Sequence, residues 1–346
     1  MEPSNLVELD TATLQHVFSF LSANDLVLSV KPVSKTLRHH VLSTLGRKAF
    51  RVSASADVPL WALPILGMSS LTHKQKKRFM VTAAKGGRLQ TLQWARKQGH
   101  PLHVRTCAAA AQGGHLEVLQ WAFTQKRCPR SMDICSAAAA SGKLELLKCA
   151  RSNGCDWGAG TCSAAARGGH LELLQWAIRY GCPWCSRTCE AAAEGGHLAV
   201  LQWAMSNGCP WDSWACRGAA RYGHLDVLKW LREQGCPWNE VTCDAAAEGG
   251  HLAVLQWARE NGCEWDAKTC AAAAARGRLE VLRWAHENGC PWDVMTCSFA
   301  ATGGHFELLQ WAQEQGCPWD ADEVRRLAAS NGHWEIVKWV KEHTSP

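Results

Sequence analysis

The chain lacks any apolar run of membrane-spanning length, because glycines and charged residues interrupt every stretch. No membrane contact is therefore expected. It also lacks a clustered basic face: the net charge of +6 is the balance of 37 Lys and Arg against 31 Asp and Glu. A mixed surface of that kind gives no reason to expect nucleic acid as a partner. Catalytic signatures are missing too. There is no G-x-S-x-G elbow and no phosphate-cradling P-loop, so the chain reads as a non-enzyme without a cofactor. The opening MEPSNLVELD has neither the basic region nor the apolar run of a signal peptide. A cytoplasmic location is expected. The basic run HKQKKR at His73–Arg78 leaves a nuclear address open beside the plainer reading as a solvated helix face.

Cysteine is abundant, with 18 residues, but its placement is not that of a disulfide framework. Sixteen fall in two columns at a fixed spacing: Cys107, Cys135, Cys162, Cys189, Cys216, Cys243, Cys270, Cys297, and Cys128, Cys155, Cys182, Cys209, Cys236, Cys263, Cys290, Cys317. In a chain that is not exported these thiols should stay reduced and act as small buried apolar side chains. A single C-x-x-C occurs, Cys182-Pro-Trp-Cys185, where other copies carry Asp or Asn at the last position. One drifted residue accounts for it better than a redox motif, and paired zinc knuckles are missing.

The columns belong to a repeat. Thr188–Ala204 (TCEAAAEGGHLAVLQWA) returns as Thr242–Ala258 with Glu190 replaced by Asp244, and Trp214–Leu231 is a looser copy between them. The tryptophan column Trp94, Trp121, Trp176, Trp203, Trp230, Trp257, Trp284, Trp311, Trp339, with Cys149 standing in between Trp121 and Trp176, and a glycine column from Gly87 to Gly332 keep steps of 27 or 28. A fixed period in this range marks stacked repeats, about ten of them, without a single central core.

Within one copy, Asp212 can cap a first helix, as can Asn239, Asp266, Asp293 and Asp320 in theirs. That helix carries Cys216, Ala219 and Ala220 on one face of small side chains, which lets neighbouring helices approach closely. Gly223 turns the chain. A second helix from His224 carries Leu225, Val227, Leu228, Trp230 and Leu231 on two sides, as suits a helix held between neighbours. Gly235 and Pro237 stop it, and Trp238 should tuck the loop onto the stack.

Helix, tight turn, helix and short loop, with Gly196-His197, Gly250-His251 and Ala245–Ala247 at the centre, resemble an ankyrin repeat. The period of 27 is about six short of the usual 33, so the long hairpin finger should be missing or stunted. The expected fold is all-α: an α-solenoid of about ten ankyrin-like repeats over residues 74–343, with a connecting segment at 47–73 and a helical module at 5–46.

That module resembles an F-box. Leu9, Leu14, Val17, Phe18-Ser19-Phe20-Leu21, Asp25-Leu26 and Val33-Ser34-Lys35 follow the family pattern, while Asp10 replaces its usual proline and the last-helix tryptophan is absent. By resemblance, Leu14, Val17, Phe18, Leu21 and Leu26 would divide between the module's own core and a face that docks the adaptor subunit of a cullin–RING ubiquitin ligase. A plain helical cap on the first repeat predicts the same amphipathic pattern.

Seven histidines recur at the start of the second helix: His115, His170, His197, His224, His251, His305 and His333. Neighbouring repeats would set them about 8–10 Å apart, too far to share one metal ion. Arg88, Lys143 and Arg278 at the same position agree with a helix-start role. The positions that vary most lie four apart on the first helix, hence on one face. They give a candidate partner-binding face of Arg167, Glu190, Glu194, Arg217, Arg221, Asp244 and Glu248. Its signs alternate from copy to copy, so a lateral ion-pair ladder is the competing reading. The chain reads as a monomeric adaptor for protein partners: an F-box type substrate-recognition subunit, or alternatively a repeat scaffold with no ligase link.

Overall fold

The computed structural model describes residues 72–125 and 128–344. The F-box-like segment, with Leu14, Val17, Phe18, Leu21 and Leu26, lies outside the described residues, as does the connecting segment up to residue 71.

Among the described residues there are twenty α-helices and no strand. They fall into two compact units that divide between Asp156 and Trp157. The first holds α1 (His73–Lys85), α2 (Leu89–Lys97), α3 (Val104–Gln112), α4 (Leu116–Thr124), α5 (Met132–Ala140) and α6 (Leu144–Ser152). The second begins with α7 (Ala159–Arg167), α8 (Leu171–Arg179), α9 (Ser186–Glu194), α10 (Leu198–Ser206), α11 (Ser213–Tyr222), α12 (Leu225–Glu233) and α13 (Glu240–Gly249). It continues through α14 (Leu252–Glu260), α15 (Ala267–Ala275), α16 (Leu279–Glu287), α17 (Val294–Gly303), α18 (Phe306–Glu314), α19 (Ala321–Asn331) and α20 (Trp334–Thr344). Odd and even helices are the first and second helices of successive repeats, an ankyrin-like helical-repeat architecture.

Most of these helices are nine or ten residues long, too short to be stable in isolation, so their stability comes from packing. Within each unit the closest approach is between consecutive odd helices. Side-chain size explains it: Cys216, Ala219 and Ala220 of α11 are all fully buried, as are Cys243, Ala246 and Ala247 of α13. The even helices bring larger groups. Val227, Leu228 and Leu231 of α12 have no exposed surface, and each such side chain contributes roughly 1.5–3 kcal/mol of burial free energy. Met80, at the cysteine position of α1, is 1% exposed and fills that place in the first repeat. The run His73–Arg78 opens α1, where Lys74, Lys77 and Arg78 are exposed to solvent.

Local signals fix the ends of these helices. Asp212, Asp266, Asp293 and Asp320 each accept a hydrogen bond from a backbone N–H in the first turn of the helix that follows. Ser131 does the same for α5. Asn239 occupies the same position on α13, yet its side chain makes no such bond. Gly196 turns the chain from α9 into α10 at φ +72°, a left-handed conformation that an L side chain rarely adopts. A Cβ there would also overlap the imidazole of His224 from the next repeat.

The loop tryptophans lie on the second helix of the next repeat. Ring centroids are 5.7 Å apart for Trp184–Trp203 and Trp238–Trp257, 5.8 Å for Trp265–Trp284 and 5.9 Å for Trp292–Trp311. The last turn of the preceding even helix covers the outer face of the loop ring. The guanidinium carbon of Arg232 sits 4.2 Å from the ring centre of Trp238, Arg259 repeats this over Trp265, and the ring of His286 stacks on Trp292 at 3.8 Å. Each cation on a partly solvated indole adds about 0.5–1 kcal/mol.

Candidate functional site

A first helix ends with carbonyls that have no partner in their own helix. The histidine column supplies the partners from one repeat ahead. His115 Nε2 lies 2.8 Å from the carbonyl oxygen of Lys85, His197 3.0 Å from that of Arg167 and His224 3.0 Å from that of Glu194. His305 and His333 do the same for Ala275 and Thr302, and His251 does so for Arg221. A carbonyl can only accept, so each Nε2 carries the proton. Where Arg278 replaces histidine its Nε makes the same bond, to the Glu248 carbonyl at 3.4 Å, while Lys143 Nζ donates to the carbonyl of the turn residue Gly114 at 3.0 Å. The column is a staple between repeats. The sequence placed these residues at a helix start without revealing their target. The signal was present in the fact that only N–H donors (His, Arg, Lys) occupy the position. Among the described residues no three His, Cys, Asp or Glu side chains converge as a metal site.

All eighteen cysteines are free thiols, and all but Cys149 and Cys185 are buried. The Cys182 thiol of the C-x-x-C sequence donates to the Gly158 carbonyl oxygen at 3.5 Å.

The seven residues of the candidate partner-binding face lie on α7, α9, α11 and α13, all in the second unit. They split into two rows. The last-turn row is largely engaged in ion pairs. Arg167 pairs with Glu194, Arg221 Nη2 lies 2.7 Å from Glu248 Oε1, and Arg276 Nη2 reaches the same oxygen at 3.0 Å. Gly218 of α11 leaves the room that the Glu194 side chain occupies, since a Cβ there would come within 2.9 Å of its Cγ.

The mid-helix row, Glu190, Arg217 and Asp244, is not ion-paired. Among the described residues no ion pair joins Glu190 to Arg217 or Arg217 to Asp244. Of the expected ladder from Glu190 and Glu194 through Arg217 and Arg221 to Asp244 and Glu248, only the Arg221–Glu248 rung forms among the described residues. Arg217 instead turns to its own helix, where its guanidinium carbon lies 4.9 Å from the ring centre of Trp214. Asp244 accepts a hydrogen bond from Thr269 Oγ1 at 2.7 Å, and burial holds its carboxyl above the ordinary range. Glu190 is raised as well, by burial first and by the neighbouring charge of Glu194 second.

Around this unpaired row the odd layer exposes large apolar side chains. Trp214 is 49% exposed, and on α17 Val294, Met295 and Phe299 are exposed as well. On the even side a shallow open groove, lined by Leu252, Leu279, Arg283 and Trp284, runs between α14 and α16. No described helix is long and apolar enough to cross a membrane.

A stack of short helix pairs that presents side-chain area, with its histidines and cysteines spent on holding the stack, defines a helical-repeat binding scaffold. Residues 269–313, which span α15 to α18, match the family model for ankyrin repeats in many copies. Ankyrin repeats are protein–protein interaction scaffolds, which points to protein partners. No curated protein matches the chain.

Proposed function

We propose that the chain is a substrate-recognition adaptor: the odd-helix layer of the second unit binds a protein target, and the N-terminal segment docks the adaptor subunit of a cullin–RING ubiquitin ligase. The observation that carries the recognition half is the pair Trp214 and Arg217. An exposed indole with a guanidinium on its face, and no carboxylate partner for that cation, is an interface anchor left open. Tryptophan and arginine are the residues most enriched at binding hot spots, and methionine is enriched at interfaces too. The half-buried carboxylates Glu190 and Asp244 flank them without an ion pair and would set register against a basic group on the target.

The ligase half rests on the resemblance of residues 5–46 to an F-box, with Leu14, Val17, Phe18, Leu21 and Leu26 as the docking residues. The two halves are tested separately. Full-length protein is mixed with purified cullin-ligase adaptor subunit. Binding at micromolar concentration supports the ligase half, and failure to bind removes it and leaves a repeat scaffold. Reversal of Arg217 to Glu tests the recognition half: loss of the target with unchanged melting supports it.

A further inference from the structure

The two cysteine columns meet in the repeat of α3 and α4. Cys107 of α3 and Cys128, four residues beyond α4, bring their sulfurs to 3.6 Å with one thiol donating to the other. In the later repeats the loop thiol donates instead to the backbone carbonyl of the residue before the first helix: Cys182 to Gly158, Cys236 to Asp212, Cys263 to Asn239 and Cys317 to Asp293, at 3.2–3.6 Å. Core packing alone asks only for a small apolar side chain at each place, and alanine or valine would serve. Two thiols in direct contact, as Cys107 and Cys128 are, make a chemical feature beyond packing.

We propose that Cys107 and Cys128 are a modification site: a dithiol that a peroxide converts to a disulfide within its own repeat, ahead of the other cysteines. A disulfide bond is about 2.0 Å long, so each sulfur has to move by less than about 1 Å to form one. The order follows from access. Cys128 is 9% exposed, the most of the eight loop cysteines, whereas Cys107 is 1% exposed. The division of labour follows from the hydrogen bond. The bond to Cys128 and deep burial hold the Cys107 thiol well above the ordinary range. Cys128, less buried and beside Arg130, is lowered and is the better nucleophile. Cys155, between Arg130 and Arg151, is lowered to about 7 by its bond from Cys135.

The step balances. The Cys128 thiol gives up its proton and its sulfur attacks one peroxide oxygen; the O–O bond breaks, and the departing hydroxide takes up that proton to leave as water, giving a sulfenic acid. The Cys107 sulfur then attacks the sulfenic sulfur. The S–S bond forms, the S–O bond breaks, and the hydroxide takes the Cys107 proton to leave as a second water. Two thiols lose two electrons and one peroxide gains them. The product ties the loop after α4 to the middle of α3, so that the first and second helices of that repeat can no longer part.

The test uses the full chain, titrated with hydrogen peroxide under native conditions. Residual thiols are then alkylated and peptides mapped without reduction, with far-ultraviolet circular dichroism recorded at each step. The expected first product is a Cys107–Cys128 cross-linked peptide, reversed by dithiothreitol and accompanied by a higher melting temperature. In Cys107→Ser the reaction should stop at a Cys128 sulfenic acid that dimedone traps. Cys128→Ala, a second variant, should leave Cys107 unmodified at the same peroxide dose. Cysteine modification without the intra-repeat link, links between repeats or between chains, or no oxidation until the helical signal is lost would each overturn the proposal.

Discussion

The Nε2 of His197 lies 3.0 Å from the carbonyl oxygen of Arg167, the last residue of the first helix one repeat earlier. A single hydrogen bond thus joins the turn of one repeat to the open C-terminal end of the helix before it, where a donor is also favoured by the helix dipole. His197→Ala should lower stability by about 1 kcal/mol, the net value of one such bond. His197→Arg should recover part of it, because Arg278 already makes this bond in its own repeat. Urea unfolding of the three proteins checks both outcomes.

The caps make a matched pair. Asp266 accepts from the N–H of Lys268 at 2.8 Å, while Asn239 at the equivalent position makes no side-chain cap bond. Asp266→Ala should cost about 1 kcal/mol, within the usual range for losing a cap. Asn239→Ala should cost clearly less. Thermal melts of the two variants under one set of conditions decide it.

In the ion-pair row Glu248 serves two guanidinium groups, so the effects of removing its partners should be unequal. Arg221→Ala and Arg276→Ala each leave one cation on Glu248 and should change stability by about 0.5 kcal/mol or less, as partly exposed pairs do. Glu248→Ala removes both contacts and should exceed either arginine variant, while staying near about 1 kcal/mol. All three effects should shrink in high salt. Chemical denaturation at two ionic strengths gives the comparison.

Asp244 gives the chain a pH-dependent term with a definite sign. Burial raises its carboxyl, so the folded chain holds this proton more tightly than the unfolded chain. The contribution is present below the ordinary carboxylate range and is lost as pH rises through the raised folded value. At neutral pH the ionised side chain is therefore a cost. Asp244→Asn, whose amide oxygen can still accept from Thr269, should be more stable than the parent at pH 7. That gain should fade as the pH drops toward about 4, where the aspartate takes up its proton. Denaturation midpoints of both proteins across that interval test it.

Much of the fold was readable because it is written locally. The alanine and cysteine face of the first helix, the glycine turn, the aspartate caps and the loop tryptophans each follow from residue type and spacing, and each stands where the pattern put it. What failed to read out depends on the stagger between neighbouring helices. A spacing of 27 residues brings Arg221 level with Glu248, yet it does not reveal that Arg217 bends back onto Trp214 and leaves Asp244 to Thr269. The histidine acceptors were hidden for the same reason, since a carbonyl carries no sequence signal. Thiol contacts between Cys107 and Cys128 were equally invisible, because two columns with one period say nothing of the distance between them. The division between Asp156 and Trp157 has no marker in the repeat pattern.

The open pair on α11 is where the recognition account stands or falls. The most direct measurement is affinity capture with the full chain and with the double variant Trp214→Ala, Arg217→Glu, with melting recorded for both proteins. Loss of the captured target with melting unchanged to within about 2 °C is the predicted result, since neither side chain is buried or ion-paired. A full set of captured proteins, or a large drop in melting temperature, would contradict it.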